Sequence, residues 1–203
     1  MDCVISLWTV TYPSSKAIDL QPKTSLFGHK YPVSILAVSK SFSTILSAST
    51  DGQVLLWDLN RLEFVRKLSH GRQVECARIN DVTGDIMVCR GQKVALYTLN
   101  GALILDQSVC TEHDDYISSC AFYEGAGNEW LENNLVLTGH KRGAANVWKK
   151  CVASGRWVLD LVKRLDHVDQ RDENGANTDA AITCITPMPL AVYTGDEDGR
   201  VVS

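Results

Sequence analysis

The sequence predicts an all-β fold made of a repeated unit of short antiparallel strands. Short runs rich in branched and aromatic residues recur along the 203 residues, as is typical of strands. Glycine-containing turns separate these runs. No segment keeps a helical period for more than about two turns, and a large aromatic side chain returns at intervals of about 40–50 residues.

The strand-like runs and the turns that bound them alternate along the chain. The clearest runs are VLLW (54–57), KVALYTL (93–99), LVLTG (135–139), ANVWKK (145–150) and AVYTG (191–195). The turns are Asp51-Gly52, Thr83-Gly84, Arg90-Gly91, Asn100-Gly101, Arg142-Gly143 and Asp198-Gly199. Because Asp-Gly and Asn-Gly favour tight hairpin turns, consecutive strands are expected to pair antiparallel.

The stretch LSASTDGQVLLWDLN (46–60) carries the most distinctive spacing. Ser47 and Asp51 precede Trp57 by ten and six residues, and His29 lies upstream, directly after a glycine. A serine, a histidine and an aspartate admit two interpretations, a catalytic triad or a buried structural network. We favour the network, because buried polar groups need partners and the chain has no Gly-x-Ser-x-Gly nucleophile turn.

A second copy of this spacing is incomplete. Thr138 and Trp148 hold the hydroxyl and indole positions, and Arg142 stands where the aspartate is expected. The network of this copy is therefore predicted to be broken or rebuilt. Whether His113 takes the place of the histidine is left open by the spacing.

Further copies are weaker. Thr194 and Asp198 repeat the hydroxyl and the turn acid near the end of the chain, and Trp8 and Tyr97 hold the aromatic position in two others. The interval between aromatic residues is close to the length of a propeller blade, about 40–45 residues. Such a blade is a four-stranded antiparallel sheet that buries its faces by stacking against neighbouring blades.

The predicted architecture is a partial β-propeller of about four blade equivalents. We place a half blade, its third and fourth strands, at residues 1–26, whole blades at about 27–69, 70–109 and 110–165, and the start of a further blade at 166–203. Closed propellers usually have about four to eight blades, so an open arc of a larger propeller is expected. Closure of a small wheel by the N-terminal strands is the alternative.

Several segments resemble a known family. Gly28-His29 followed by Trp57-Asp58 resembles a WD repeat. Longer segments are similar to the C-terminal propeller of the BEACH-domain proteins, the beige, lysosomal trafficking regulator and neurobeachin family. These segments are WDLNRL (57–62), INDVTGDI (79–86) and NEWLENNLVLTGHKRGAANVW (128–148). The segments similar to the fungal branch are LNGALILDQSVC (99–110) and HVDQRDENGAN (167–177).

The resemblance implies a role for each residue of the first spacing. His29, Ser47, Asp51 and Trp57 match a structural tetrad, in which the aspartate accepts from the histidine and the hydroxyl links the histidine to the indole N–H. The resemblance further implies a non-catalytic scaffold that binds protein partners in membrane trafficking, protein sorting and vacuolar or lysosomal transport. In fungi it implies cell-wall formation.

The resemblance also implies a larger protein. A pleckstrin-like domain and a BEACH domain are expected upstream in the full-length chain, which is expected to be cytoplasmic and peripherally associated with membranes. Two other classes of function stay open. Some propellers are hydrolases, although no carboxylate cluster recurs on the predicted inner strands. Others dock phosphorylated peptides or phosphoinositides.

Two neighbouring turns are basic and could form an interaction patch. They contribute Arg90 and Lys93, then Lys141 and Arg142, and Arg72 lies in the preceding loop. An acidic peptide or a lipid headgroup would fit such a patch. We favour the simpler interpretation that these are solvated turn charges, since exposed strands and turns commonly carry them.

Composition excludes several classes of function. The chain is 45% apolar and 22% charged, with a net charge of −4, which does not favour nucleic acid as a partner. The seven cysteines include no Cys-x-x-Cys pair, so neither a disulfide scaffold nor a zinc site is expected, and no cofactor is predicted. No apolar run reaches the length of about 18 residues needed for a transmembrane segment.

Overall fold

The fold is known from a computed structural model. It describes residues 3–14, 17–69, 71–123, 135–166, 180–188 and 191–202. These residues form β-strands joined by turns and contain no helix, and hence no helix of the length and apolarity that a membrane span requires. The all-β prediction is confirmed.

The strands pair as successive antiparallel hairpins. They are β1 (Val4–Ser14), β2 (Ala17–Phe27), β3 (Val33–Ser39), β4 (Thr44–Ser49), β5 (Val54–Asp58), β6 (Glu63–Ser69), β7 (Cys76–Ile79), β8 (Ile86–Arg90), β9 (Lys93–Tyr97), β10 (Leu103–Ser108), β11 (Ile117–Phe122), β12 (Leu135–His140), β13 (Ala144–Ala153), β14 (Arg156–Asp166), β15 (Ile182–Met188), β16 (Ala191–Asp196) and β17 (Val201–Val202). We call the resulting sheets the first (β1–β2), second (β3–β6), third (β7–β10), fourth (β11–β14) and fifth (β15–β17) sheet.

The sheets are arranged radially. Within each sheet the strands lie in chain order, and the leading strands β3, β7, β11 and β15 contact one another in succession. The leading strands therefore lie innermost and the later strands lie further out, as in a propeller. Among the described residues no strand pairing joins the first sheet to the fifth. The prediction of a partial, unclosed propeller is confirmed.

The second sheet shows how the sequence produces a blade. In β3 exposed and partly buried residues alternate, whereas all six residues of β4 are buried. The Asp-Gly turn that follows β4 places Gly52 at a φ of 83°, and the Ser49 N–H donates to the Gln53 carbonyl at 3.0 Å. This turn sets the register of β4 and β5, in which Trp57 lies opposite Ile45.

Apolar clusters fill the spaces between neighbouring sheets. Trp57 lies in the cluster between the first and second sheets, and Leu46 in that between the second and third. Met87 lies between the third and fourth sheets, and Ile182 between the fourth and fifth. Full burial of one such side chain stabilises a fold by about 1.5–3 kcal/mol. Contacts between sheets therefore supply much of the stability.

Polar contacts also tie neighbouring sheets together. The Gln107 side chain donates to the Leu159 carbonyl and accepts from the Leu159 N–H, both at 2.8 Å, which joins β10 to β14. The Ser118 hydroxyl donates to the Ile182 carbonyl at 2.6 Å, which joins β11 to β15. In each contact one partner is a backbone group. These bonds therefore fix the rotation of the fourth sheet against the third and against the fifth.

The sequence also predicts an insert at YEGAGNEWLENN (123–134) and a long acidic loop between blades at DHVDQRDENGANTDA (166–180). Residues 124–134 and 167–179 of these segments lie outside the described residues, as do Asp2, expected in the turn of the first half blade, and His70. Asp166, which the sequence assigns to the start of that loop, instead ends β14 and lies opposite Ala144. The predicted blade boundaries stay a prediction.

Candidate functional site

The second sheet brings three of the four predicted tetrad residues together. The Trp57 indole Nε1–H donates to Ser47 Oγ at 2.8 Å, and Ser47 Oγ lies 2.7 Å from His29 Nε2. All three residues are buried. Ser47 Oγ accepts from the indole, and whether it donates to His29 Nε2 or accepts from it depends on which imidazole nitrogen carries the proton.

The structure corrects the fourth member of this tetrad. Asp51 does not bond to His29, because its Oδ1 accepts the Ser49 hydroxyl at 2.5 Å and the Gln53 N–H at 3.2 Å. An aspartate in a tight turn readily bonds the backbone two residues ahead, and Asp51 does so here. His29 Nδ1 is buried without a hydrogen-bond partner among the described residues. The turn acid therefore acts on the imidazole only through its charge.

The fourth sheet contains a rebuilt network. The Trp148 Nε1–H donates to Thr138 Oγ1 at 2.8 Å, and Thr138 Oγ1 lies 2.9 Å from His140 Nε2. His140 Nδ1 lies 2.9 Å from a carboxylate oxygen of Asp115, to which it donates its proton. The indole, hydroxyl, imidazole and carboxylate thus form one continuous chain of hydrogen bonds. Networks of this kind strengthen when every member is satisfied.

His140 and Asp115 were not predicted from the sequence, because the histidine was expected upstream of the hydroxyl. In the second sheet the histidine precedes Ser47 by 18 residues. His140 instead follows Thr138 by two residues on β12, and residues two apart on a strand share a face. That spacing is a signal that could have found it.

The residues that the sequence proposed for these places lie elsewhere. The His113 carbonyl accepts from the Gln92 side chain at 2.8 Å, so this residue belongs to a surface loop contact. Arg142, in the position expected for the acid, forms ion pairs with Glu112 and with Asp114, the latter at 3.2 Å.

The remaining copies depart further from the predicted tetrad. Asp198 is exposed, and its carboxylate lies 3.6 Å from the Arg200 guanidinium. The buried acid of that turn is instead Asp196, whose Oδ1 accepts the backbone N–H groups of Asp198 and Arg200. Thr194 is buried on β16. Trp8 is 57% exposed, whereas Trp57 and Trp148 are buried. The turn acid of the fifth sheet therefore serves the turn, as Asp51 does.

The Thr138–His140–Asp115 chain has the residue types of a catalytic triad but not its accessibility. Thr138 and His140 are 0% and 1% exposed. Cys110 Sγ lies 3.5 Å from His140 Nδ1, the same nitrogen that faces Asp115. Burial, aided by the Asp115 charge, raises the pKa of Cys110 to about 12. A protonated thiol is a poor nucleophile, so Cys110 is not arranged for covalent catalysis beside His140.

Both network histidines are held in the neutral form. Burial lowers the pKa of His140, and the neighbouring Asp115 carboxylate only partly opposes this. Burial likewise lowers the pKa of His29, against the charge of Asp51 and a contact with Gln53. Since the usual histidine value is 6.5, unfolding allows both imidazoles to bind a proton more readily.

We expect the free energy of unfolding to fall as the pH is lowered below about 6.5. A lowered pKa in the folded state means that the contribution is complete above 6.5 and is lost as the pH falls through the folded-state value. Urea denaturation at about pH 7 and about pH 5, on either side of the usual histidine pKa, measures it. His140→Gln should reduce the acid sensitivity, whereas His113→Gln should leave it unchanged. Equal pH dependence in all three proteins would contradict the assignment.

Arg72 and the first basic turn line an open cleft of about 820 Å³ together with acidic residues, and the second basic turn is not part of its lining. Arg90 and Lys93 each lie 3.8 Å from Asp106. Arg142 is paired with Glu112 and Asp114. Lys141 lies over the Tyr116 ring at 5.5 Å, and Arg72 also lines the cleft. The five predicted cations are thus interleaved with carboxylates, which weakens any net positive field.

We therefore expect charge reversal in either basic turn to leave binding to acidic surfaces unchanged. Arg90→Glu and Arg142→Glu should bind vesicles of phosphatidylcholine with phosphatidylinositol phosphate as weakly as the unaltered chain, because the carboxylates already offset these cations. Vesicle co-sedimentation at low and high salt measures this. Arg61→Glu, exposed in another turn, is the control. Salt-sensitive binding of the unaltered chain that is lost only in Arg90→Glu and Arg142→Glu would contradict this interpretation.

These geometries define a class of protein. Buried indole–hydroxyl–histidine networks that join the second and third strands of two four-stranded sheets, in an open radial arc, define a WD-repeat β-propeller segment. Residues 20–58 match the family "WD domain, G-beta repeat". The crystal structure of the computationally designed Ika4 protein is similar in fold, with a TM-score of 0.60 and 21% identity over 87% of this chain and 92% of that one.

The curated relatives narrow the class to a family. Beige protein homolog 1 of Schizosaccharomyces pombe is 30% identical over 100% of this chain. The lysosomal-trafficking regulator of Homo sapiens is 32% identical over 98%, and the human WD repeat- and FYVE domain-containing protein 4 is 30% identical over 72%. The chain belongs to the beige and BEACH-domain family of WD-repeat proteins. It spans only 8%, 5% and 5% of the length of these relatives.

Proposed function

We propose that this chain is a non-catalytic scaffold that binds protein partners within a larger BEACH-domain protein of membrane trafficking. The WD-repeat match and the names of its relatives, among them a lysosomal-trafficking regulator, support this proposal. Protein sorting and transport to the lysosome or vacuole are the corresponding processes, with cell-wall formation in a fungal host. We place the full-length protein in the cytoplasm, peripherally attached to membranes, with a BEACH domain elsewhere in its chain.

One observation carries the proposal. The hydroxyl and histidine side chains that resemble catalytic residues are buried, and their hydrogen bonds connect strands within the second and fourth sheets. Ser47 and Thr138 are each 0% exposed, and each accepts an indole N–H. A substrate could reach neither hydroxyl without separating two blades. A rigid assembly of sheets with exposed loops and side chains instead suits the binding of other macromolecules.

A segment exchange tests the trafficking role. The matched segment of Beige protein homolog 1 of Schizosaccharomyces pombe is replaced by residues 1–203 of this chain, and secretion of a vacuolar protease into the medium is measured by immunoblot. We expect the chimaera to retain the protease, and deletion of the segment to release it. A second chimaera with Trp57→Ala should behave as the deletion, because it disrupts the first sheet interface. A third with Trp8→Ala should behave as the unaltered chimaera.

The result that overturns the proposal is equally specific. If the chimaera accumulates to the level of the natural protein and still releases the protease as the deletion does, this chain does not supply the trafficking function. Protein abundance is measured in the same cells, so poor expression is distinguished from lack of function.

The competing hydrolase function has its own test. A panel of ester, peptide and phosphate-ester substrates should give no turnover above a protein-free control. Thr138→Val should leave that background unchanged, because Thr138 holds the indole of Trp148 rather than attacking a substrate. Turnover that disappears in Thr138→Val or His140→Gln, with the fold retained by circular dichroism, would establish the enzymatic function instead.

A further inference from the structure

Three cysteine side chains meet between the third and fourth sheets. The Sγ atoms of Cys76, Cys89 and Cys120 all lie within 4.8 Å of one another. These residues are 8%, 0% and 2% exposed. We call them the thiol cluster. Their sequence positions show no metal-binding motif, because the cluster is made by the fold and not by a local spacing.

The register of the strands explains the cluster. Cys76 on β7 and Cys89 on β8 are directly opposite each other in the antiparallel ladder of the third sheet. Cys120 lies on β11, the innermost strand of the fourth sheet, which contacts β7 and β8. Three backbone segments from two sheets therefore hold the thiols in place, so the arrangement is preorganised.

The cluster can be reached from the centre of the arc. Cys76 and Cys120 line a cleft of about 270 Å³ beside the innermost strands, together with Arg78 and the hydroxyls of Ser118 and Ser119. The cleft offers a path for a small ion. Arg78 also supplies a positive charge close to thiols that must lose their protons to bind a metal.

We propose that the thiol cluster binds one soft, thiophilic metal ion, Zn²⁺ or Cu⁺, between the two sheets. Metal–sulfur bonds of about 2.3 Å bring thiolate sulfurs to about 4 Å from one another, so the cluster needs only a small contraction. Three thiolates with Zn²⁺ carry one net negative charge, which Arg78 faces. Soft thiolate ligands select Cu⁺ and Zn²⁺ over harder ions. The ion would join neighbouring blades, and the three thiols would release their protons to solvent as they become thiolate ligands.

Metal titration of the reduced 203-residue chain tests this. Zn²⁺ is titrated in competition with a chromophoric zinc chelator, and Cu⁺ in competition with bathocuproine disulfonate, both with a non-thiol reductant. We expect one ion per chain in at least one arm, with the midpoint of thermal unfolding raised by that ion. Cys120→Ala should weaken binding by about 100-fold or more, whereas Cys151→Ala, which lies at the surface, should not change it.

A footprint on the unaltered chain keeps the proposal testable even if Cys120→Ala fails to fold. Alkylation with iodoacetamide in mild urea, followed by peptide mass spectrometry, should show that the added ion protects the three cluster cysteines, while Cys151 and Cys184 react as before. Three outcomes overturn the proposal: no stoichiometric binding of either ion, binding that Cys120→Ala retains, or protection at cysteines outside the cluster. Each would show that the thiols serve packing alone.

Discussion

Gly52→Ala is expected to destabilise the chain by about 3 kcal/mol or more. Gly52 adopts a φ of 83°, a left-handed conformation that costs a residue with a Cβ about 1–2 kcal/mol. An added Cβ would also collide with the Arg72 carbonyl oxygen and lie 2.6 Å from that of Gly71. These are backbone atoms of the loop leading to the third sheet, so they cannot move away as a side chain can, and overpacking adds about 1–3 kcal/mol. Urea denaturation measures the loss.

Gly199→Ala is the matched control for this prediction. Gly199 lies in another Asp-Gly turn and has the same φ of 83°, and apart from its chain neighbours none of the described residues has an atom within 4 Å of an added Cβ. It should lose only the conformational cost of about 1–2 kcal/mol. The difference between the two variants then measures the contact between blades at Gly52. Equal losses would show that this contact is absent in solution.

The turn chemistry and the strands were predictable from the sequence because both depend on short stretches. Asp51-Gly52 needs only a residue that tolerates a positive φ, and the local sequence supplies it. The Ser47–Trp57 bond was predictable for the same reason, since one tight hairpin joins the two strands. When two residues are about ten positions apart in one hairpin, the turn alone sets their relative position, and few other pairings are possible.

The carboxylate of the rebuilt network was not predictable, because Asp115 comes from a separate segment. Asp115 reaches His140 from the loop before β11, across 25 positions of the chain. Nothing in the local sequence marks an aspartate in a loop as a partner of a histidine on a strand. The fourth sheet thus repeats the indole–hydroxyl–imidazole chain of the second with the histidine two residues from the hydroxyl, and it adds the carboxylate that the second sheet lacks.

The third sheet shows that a blade can do without the network. Val88 and Tyr97 occupy the positions of the hydroxyl and the indole, and both are buried in the apolar cluster that it shares with the second sheet. Replacing all polar members by apolar groups removes the need for partners and costs little. The fold therefore requires a filled interface, and the indole matters first as a large apolar body.

Trp57→Ala is accordingly expected to destabilise the chain by about 3–5 kcal/mol, the range for removal of a large buried aromatic side chain. Trp57 is 2% exposed, lies in the cluster between the first and second sheets, and meets the Phe64 ring edge-on at 5.9 Å between centroids. The change also removes the donor to Ser47. Thermal and urea unfolding, followed by circular dichroism, measure the loss.

Two further variants separate packing from hydrogen bonding. Trp57→Phe keeps a ring in the interface and deletes the indole N–H, so it should lose about 1–3 kcal/mol, mostly from a buried hydroxyl left without its donor. Trp8→Ala removes an indole that is 57% exposed and should lose less than about 1 kcal/mol. If Trp57→Phe were as damaging as Trp57→Ala, the hydrogen bond rather than the filled interface would hold the blades, and the third sheet would have no means of staying folded.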